Sequence, residues 1–178
     1  MTQPDPPAVS VVVPVFDHGA HLDELCARIG AALAARWDYE VILVDDGSSD
    51  DSWNVITGLA RSPRVRGLRL ARNSGQTAAL CAGMESATAP IIATIDADLD
   101  ADPEDLGLLV EAIEAGADVA NGCRQGRDWR RRLPSQLFNR RVGRLGLPYT
   151  DGGSGMFAVR TSIAREALLH GEMRRGFR

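Results

Sequence analysis

The chain contains no lysine, so arginine supplies all 20 of its Lys and Arg residues. Arginine and lysine both serve solvated surfaces, so a compositional bias of the genome explains this absence and no function is excluded by it. Cysteine is scarce, and Cys26, Cys81 and Cys123 form no CxxC pair. Their spacing argues against a disulfide framework and a cysteine zinc site, and it favours a reducing compartment.

Long apolar runs are also missing, since none approaches the ~20 residues that a membrane-spanning helix needs. The N-terminal segment 1–8 is polar and rich in proline, unlike a secretory signal peptide. With 44% hydrophobic residues, the 178-residue chain can still bury a core, and its length fits one domain. We therefore expect a single cytoplasmic domain over residues 1–178.

Several nucleotide-binding signatures are absent. No G-x-G-x-x-G follows the first predicted strand, which argues against a dinucleotide-binding Rossmann domain, and no Walker A sequence is present, which excludes a P-loop. The glycine- and lysine-rich first loop of nucleotidyltransferases is missing too. The histidines show no metal-ligand spacing and are interpreted as surface or packing residues: His18, His21 and His170.

What is present is a regular alternation of strands and helices. Apolar, β-branched runs predict strands, and helical periodicity predicts helices between them. The predicted strands cover residues 9–15, 39–44, 65–70 and 90–95, and the predicted helices cover 20–36 and 75–87, with further helix starts after residue 49 and at 103. This order implies an α/β fold with a doubly wound, mostly parallel sheet and helices on both faces.

Acidic residues follow two of these strands, at the edge where such sheets bind ligands. Asp96 and Asp98 stand one residue apart after the strand over 90–95. Two such carboxylates can converge on Mg²⁺ or Mn²⁺, which prefer carboxylate oxygen and often hold substrate phosphates, and Asp100 would add a third oxygen. The pattern predicts a divalent-metal site, with helix capping or plain solvation as the alternative.

The second acidic pair is Asp45 and Asp46, directly after the strand over 39–44. A carboxylate at a strand end can accept hydrogen bonds from a base N–H or from ribose hydroxyls. Gly47 permits a tight turn, and Ser49 or Asp50 can cap the next helix. Nucleotide binding is therefore predicted here, with a capped turn as the alternative.

Charge is distributed unevenly along the chain. Residues 1–123 carry 7 Arg against 20 Asp and Glu, whereas residues 124–178 carry 13 Arg against 4. Eight of these arginines lie within residues 124–144, where Asp128 is the only acid. This segment suits a lipid phosphate or an anionic membrane surface, or alternatively forms a solvated helix face with ion pairs.

Taken together, these motifs resemble the family 2 glycosyltransferases, and within them the polyprenyl-phosphate branch that is similar to dolichol-phosphate-mannose synthase. The matching segments span nearly the whole chain in the family's order: Val12-Val13-Pro14-Val15-Phe16, 44–52 (VDDGSSDDS), Arg72-Asn73-Ser74-Gly75-Gln76, 96–104 (DADLDADPE), Gly122-Cys123-Arg124 and 151–156 (DGGSGM). The resemblance implies a GT-A fold, a nucleoside-diphosphate-sugar donor, a divalent metal (Mg²⁺ or Mn²⁺) and no nucleic-acid partner.

The resemblance also implies roles for single residues. Asp96 and Asp98 hold the donor diphosphate and the metal, and Asp98 is the catalytic member; Asp100, the third metal ligand that the acidic pattern predicts, lies outside what the resemblance implies. Asp45 faces the base, and Arg124 lies near the donor phosphates or the acceptor. The full set of implied donor contacts is Pro14, Val15, Asp17, Asp45, Asp46, Gly75, Asp96, Ala97 and Arg124. The chain departs from the family in having Phe16-Asp17-His18 for the usual Tyr-Asn-Glu, Asp100 for Gln, and Phe157 for Arg or Lys.

These features predict an inverting glycosyltransferase with a polyprenyl-phosphate acceptor. A lipid phosphate is already ionised, whereas a saccharide hydroxyl, the first alternative, needs a general base. Asp151 is the candidate for that base. The second alternative is a non-catalytic module that binds nucleotide-sugars.

The family usually continues into interface helices and membrane spans, so we expect residues 1–178 to lack that extension and to work at the cytoplasmic face of a membrane. The sequence leaves open the base and sugar of the donor, the acceptor, the identity of the metal and whether the chain forms a homo-oligomer.

Overall fold

The computed structural model describes residues 6–122 and 155–169. The strands within these ranges are β1 Val9–Val15, β2 Tyr39–Asp45, β3 Val65–Arg69, β4 Ile91–Thr94, β5 Val119–Asn121 and β6 Phe157–Arg160. The helices there are α1 Leu22–Leu33, α2 Ser52–Leu59, α3 Gln76–Ser86, α4 Leu106–Glu114 and α5 Thr161–Leu169. In this part of the chain, no helix has the length and apolar character needed to cross a bilayer.

The strands form a six-stranded sheet in the order β3-β2-β1-β4-β6-β5. β1 pairs in parallel with β2 and β4, and β2 pairs in parallel with β3. β6 is antiparallel to both β4 and β5. The predicted mostly parallel sheet is confirmed, and β6 adds an antiparallel element that the strand–helix alternation did not indicate.

Helices cover both faces of the sheet, as predicted. On one face α1, α2 and α4 bury Leu25, Ile56 and Leu106 against alternate residues of β1 and β2. On the other face α3 and α5 bury Met84 and Ala164 against Val12 and its neighbours. Because both faces are buried, all seven residues of β1 are buried, and the five valines occupy both faces of the strand rather than alternating with exposed polar residues.

The predicted element bounds shift by a few residues. The helix predicted over 20–36 begins as a 3-10 turn at Gly19–His21 and continues as α1, which ends at Leu33. Beyond it the backbone turns so that Trp37 packs back with 8% exposure and donates Nε1–H to Glu114 at 2.8 Å. Long-range packing of that indole therefore ends the helix earlier than local periodicity does.

A buried polar cluster joins β1 and β2 near their amino ends. Glu40 Oε1 accepts hydrogen bonds from Ser10 Oγ at 2.6 Å, Thr88 Oγ1 at 2.7 Å and Thr88 N–H at 3.0 Å. Arg66 Nε lies 2.9 Å from Glu40 Oε2. Burial raises the pKa of Glu40, but the hydrogen bonds from Ser10 and Thr88 and the charge of Arg66 outweigh it and lower that pKa below its ordinary value.

Glu40→Gln is expected to lower the free energy of unfolding by about 2 kcal/mol at neutral pH, because charge-assisted hydrogen bonds are lost. A lowered folded-state pKa means that the contribution is complete above the ordinary carboxyl pKa, about 4.3, and is lost as pH falls through the folded-state value. Urea unfolding at pH 7 and at lower pH checks both parts. The exposed Glu85→Gln is the matched control; a gap between Glu40→Gln and wild type that stays constant down to acid pH contradicts the expectation.

Candidate active site

A cleft of about 350 Å³ lies at the carboxyl ends of the parallel strands β1, β2 and β4. The described residues that line it are Pro14, Val15, Phe16 and His18 at the end of β1, Asp46 after β2, Asn73, Gly75 and Gln76 at the start of α3, and Asp96, Ala97 and Asp98 after β4. The fold thus brings together carboxylates that follow two different strands. An anionic ligand would enter this cleft only with a cation to offset them.

Asp17 ties the turn after β1 to the turn after β2. Its Oδ1 accepts hydrogen bonds from Ser49 N–H at 2.7 Å and Asp50 N–H at 3.2 Å, and its own N–H donates to Ser48 Oγ at 3.0 Å. Its φ of 56° is in the left-handed region, which Asp tolerates better than most residues. Asp17 is exposed and lies outside the set of described cleft-lining residues. The donor contact that the resemblance implies for it stays a prediction.

Asp45 and Asp46 are neighbours in sequence but have different surroundings. Asp45 is fully buried, accepts Ser48 N–H at 2.9 Å and has Arg69 Nε 3.0 Å from its other carboxylate oxygen. Arg69 in turn lies over the Trp53 ring. Asp46, not Asp45, is among the described residues that line the cleft. These contacts give Asp45 a structural role, which is to hold the turn after β2. The role implied for it in facing the nucleotide base stays a prediction.

Asp45→Ala is expected to lower the free energy of unfolding by about 2 kcal/mol, since the buried Ser48 N–H loses its acceptor. The ion pair adds little to this figure because Arg69 is about half exposed and can be rehydrated. Thermal or urea unfolding measures the loss. The exposed Asp23→Ala serves as control, and wild-type stability in Asp45→Ala would contradict the structural role.

Asp46 contacts the backbone at the start of α3. Its Oδ1 accepts Ser74 N–H at 2.7 Å, its Oδ2 accepts Gly75 N–H at 2.8 Å, and the residue is 3% exposed. The turn is closed from the other side by Gly47, whose φ is +72° and where a Cβ would lie 2.6 Å from Asn73 N. Only glycine fits this approach of the turn after β2 to the segment before α3.

Asp96 and Asp98 follow β4 and line the cleft together. Asp96 is partly buried, and its Oδ1 accepts Gln76 Nε2–H at 2.6 Å. Gly155 lies against the other oxygen, because a Cβ built on it would be 2.1 Å from Asp96 Oδ2. Asp98 is exposed, and its Oδ1 accepts Asp100 N–H at 2.9 Å. The end of the 151–156 motif therefore reaches the acidic pair.

The number and placement of the carboxylates determine how the cleft could hold a metal ion. Over residues 6–122 and 155–169, no group of three His, Cys, Asp or Glu side chains is arranged to hold a metal ion. Asp100 does not join Asp96 and Asp98 among the described lining residues. Mg²⁺ is commonly held by one or two carboxylates together with substrate phosphates and water. Asp96 and Asp98 fit that mode of binding, and the ligand role of Asp100 stays a prediction.

Several predicted site residues lie outside the described residues. These include Arg124, Asp151 and the arginine-rich segment 124–144. Their roles near the donor phosphates, as a general base and at an anionic acceptor or membrane stay predictions.

The structure also places in the cleft residues for which the sequence predicted no site role, among them His18, which was interpreted as a surface or packing residue. His18 lines the cleft and is, among its described lining residues, the one side chain that can carry a positive charge. Its imidazole has neither a hydrogen bond nor an ion pair in the described part of the chain. The available signal was its position three residues after the end of β1, in the place of the family's usual Glu. Gly155 was part of a motif, but its contact with Asp96 needed the fold.

Comparison with solved structures identifies the class of the fold. Glucosyl-3-phosphoglycerate synthase from Mycobacterium tuberculosis, in complex with Mn²⁺, UDP-glucose and phosphoglyceric acid, superposes with a TM-score of 0.70 over 96% of this chain and 67% of that one, at 19% identity. A mannosyltransferase from Pyrobaculum calidifontis, in complex with GDP-mannose and Mn²⁺, superposes with a TM-score of 0.62 over 92% of this chain and 47% of that one, also at 19% identity. At such identities the likeness defines the fold, which is GT-A.

The sequence then identifies the family. The model of glycosyl transferase family 2 matches residues 10–169, and the chain belongs to that family. Undecaprenyl-phosphate 4-deoxy-4-formamido-L-arabinose transferase from Edwardsiella ictaluri is 40% identical over 168 residues, which are 91% of this chain and 51% of the relative. The protein of the same name from Shewanella sediminis is 39% identical over 166 residues, 90% of this chain and 50% of the relative. The chain spans about half the length of the curated relatives it matches.

Proposed function

We propose that this chain is the donor-binding and catalytic part of an inverting glycosyltransferase that moves a sugar from a nucleoside-diphosphate-sugar to a polyprenyl phosphate. The observation that carries the proposal is the cleft in which Asp96 and Asp98 meet Asp46 at the carboxyl ends of parallel strands. Relatives about 40% identical are named as transferases acting on undecaprenyl phosphate, which supports the lipid acceptor. The proposed place of action is the cytoplasmic face of a membrane.

A divalent cation, Mg²⁺ or Mn²⁺, completes the proposed donor site. Structural neighbours were crystallised with Mn²⁺ and nucleotide-sugars, and the acidic cleft calls for a cation before a diphosphate can bind. Asp96 and Asp98 are the proposed ligands. When bound, the cation supplies Lewis-acid stabilisation of the negative charge on the leaving diphosphate. His18, which lines the same cleft, is proposed to donate a hydrogen bond to this diphosphate.

The proposed transfer is a single displacement. A phosphate oxygen of the acceptor attacks the anomeric carbon as the bond from that carbon to the donor's phosphate oxygen breaks, and the electron pair leaves with the nucleoside diphosphate. Attack from the face opposite the leaving group inverts the anomeric centre. The acceptor is already an anion, so no side chain has to remove a proton. The arginine-rich segment 124–144 is proposed to attract this acceptor to an otherwise acidic domain.

A transfer assay tests the proposal. The 178-residue chain is incubated with Mn²⁺, undecaprenyl phosphate in detergent, and each member of a panel of UDP- and GDP-sugars. The expected result is a glycolipid phosphate with inverted anomeric configuration, formed with one or more donors and lost in EDTA. Transfer to soluble saccharides alone would favour the hydroxyl-acceptor alternative. If the donor binds but is neither transferred nor hydrolysed, the result would favour a non-catalytic binding module.

A further inference from the structure

We infer that Asp46 and Gln76 are positioning residues for Asp96. Asp46 fixes the start of α3, Gln76 at that start orients the Asp96 carboxylate, and the affinity of Asp96 for the metal therefore depends on Asp46. The inference rests on the proposed function, in which Asp96 is a metal ligand. It assigns to Asp46 a role through the backbone of α3 in place of a direct contact with the donor.

The first link is the hold of Asp46 on the start of α3. The two oxygens of one carboxylate accept two consecutive backbone N–H groups, from Ser74 at 2.7 Å and from Gly75 at 2.8 Å. Asp46 is 3% exposed, so its carboxylate oxygens are shielded from competing water, while the donor residues Ser74 and Gly75 are exposed. An asparagine in its place would present one acceptor oxygen and an NH₂ group facing an N–H donor. The bidentate carboxylate thus fixes the residue at which α3 begins.

The second link is the reach of Gln76, the first residue of α3. Its Nε2 donates to Asp96 Oδ1 at 2.6 Å, and this orientation of the amide follows from chemistry, because an ionised carboxylate only accepts hydrogen bonds. A neutral amide holds the carboxylate without cancelling the charge that attracts a cation. A lysine or arginine at this position would compete with the metal for Asp96.

The third link is the confinement of the other Asp96 oxygen. Gly155 lies so close that a Cβ built on it would be 2.1 Å from Asp96 Oδ2. With Oδ1 tied to Gln76 and Oδ2 beside Gly155, the direction of the carboxylate is set from two sides. Hydrogen bonds that orient a metal ligand typically change metal affinity by roughly 10- to 100-fold when they are removed.

The test measures how strongly metal and nucleotide binding depend on each other. Calorimetry gives the Kd of UDP or GDP, whichever binds wild type, in Mn²⁺ and in EDTA, and the ratio of the two values is the coupling between metal and nucleotide. Gln76→Met keeps the length of the side chain and removes the N–H donor. Its coupling ratio is expected to fall by about tenfold, with the Kd in EDTA unchanged within about twofold. Thr77→Ala, a polar-to-apolar change one residue further along α3, should keep the wild-type ratio.

Asp46→Asn is expected to lower the same coupling ratio. The double variant is expected to have a ratio no lower than that of the more strongly affected single variant, because both substitutions interrupt the same chain of contacts from Asp46 through Gln76 to Asp96. Thermal melting checks that Asp46→Asn folds, and Gln76→Met carries the test alone if it does not. An equal loss of affinity in Mn²⁺ and EDTA would make Gln76 a direct donor contact and overturn the inference, as would an unchanged ratio in Gln76→Met. Wild type that binds no nucleoside diphosphate in either condition would instead overturn the proposed function, and the inference with it.

Discussion

Asp98→Asn is expected to lower the rate of sugar transfer by about 1,000-fold, since loss of metal stabilisation of the leaving group raises the activation free energy by ~4 kcal/mol. The substitution keeps the shape of the side chain and removes the charge that attracts the cation. Asp98 is exposed and its Oδ1 accepts a single backbone N–H, from Asp100, which an asparagine oxygen can also accept. The fold should therefore survive, and the loss should be one of chemistry and metal-dependent donor binding.

Initial rates and donor affinity in Mn²⁺ and in EDTA measure this loss. Asp102→Asn is the matched control, because Asp102 is a nearby acid that pairs with Arg28 on the surface and does not belong to the described lining of the cleft. It should keep full activity. Retention of Mn²⁺-dependent donor binding in Asp98→Asn would remove Asp98 from the metal site.

Gly155→Ala is expected to lower transfer by about 100-fold, the order of effect that a displacement of one catalytic group by about 1 Å produces. The added Cβ would overlap Asp96 Oδ2, and the end of a side chain yields more easily than backbone. Asp96 would turn away from its present direction although no charge is lost. The left-handed φ of +65° adds only about 1–2 kcal/mol of backbone strain for alanine.

Gly116→Ala separates the two effects of this substitution. Gly116 also has a positive φ, of +111°, but a Cβ there would meet nothing within 4 Å. Because this φ is further from the left-handed helical region than that of Gly155, Gly116→Ala should lose at least as much stability and still keep its activity. If Gly155→Ala transfers sugar like wild type, or if both variants lose activity in proportion to their stability, the close approach of Gly155 to Asp96 is not needed for sugar transfer.

The parts of the fold that depend on local pattern were predictable. β1 was predicted with its observed bounds, because a strand buried on both faces is rich in β-branched apolar residues on both of its sides. The acids after the strands were expected to meet at one edge, and Asp46, Asp96 and Asp98 do so, since parallel strands end together. The metal ligands, the donor contacts and the role of Asp151 as base stay predictions, and the experiments above test the metal ligands.

What escaped prediction depends on contacts between distant segments. β6 lies between β4 and β5 in antiparallel register, and no local periodicity in four residues encodes that position. The different environments of Asp45 and Asp46 follow from which side of the strand end each faces, with Arg69 on one side and the start of α3 on the other. His18 matches no motif in the sequence, and it reaches the cleft because of the turn that follows β1.

Anomalous diffraction from crystals of the chain grown with Mn²⁺ and a nucleoside diphosphate would show whether Asp96 and Asp98 hold the metal, because it locates the cation without reference to activity. We expect one strong manganese peak within coordination distance of carboxylate oxygens of both Asp96 and Asp98, with the diphosphate next to it in the cleft beside His18. A nucleotide bound elsewhere, or a manganese peak that touches neither carboxylate, would contradict it.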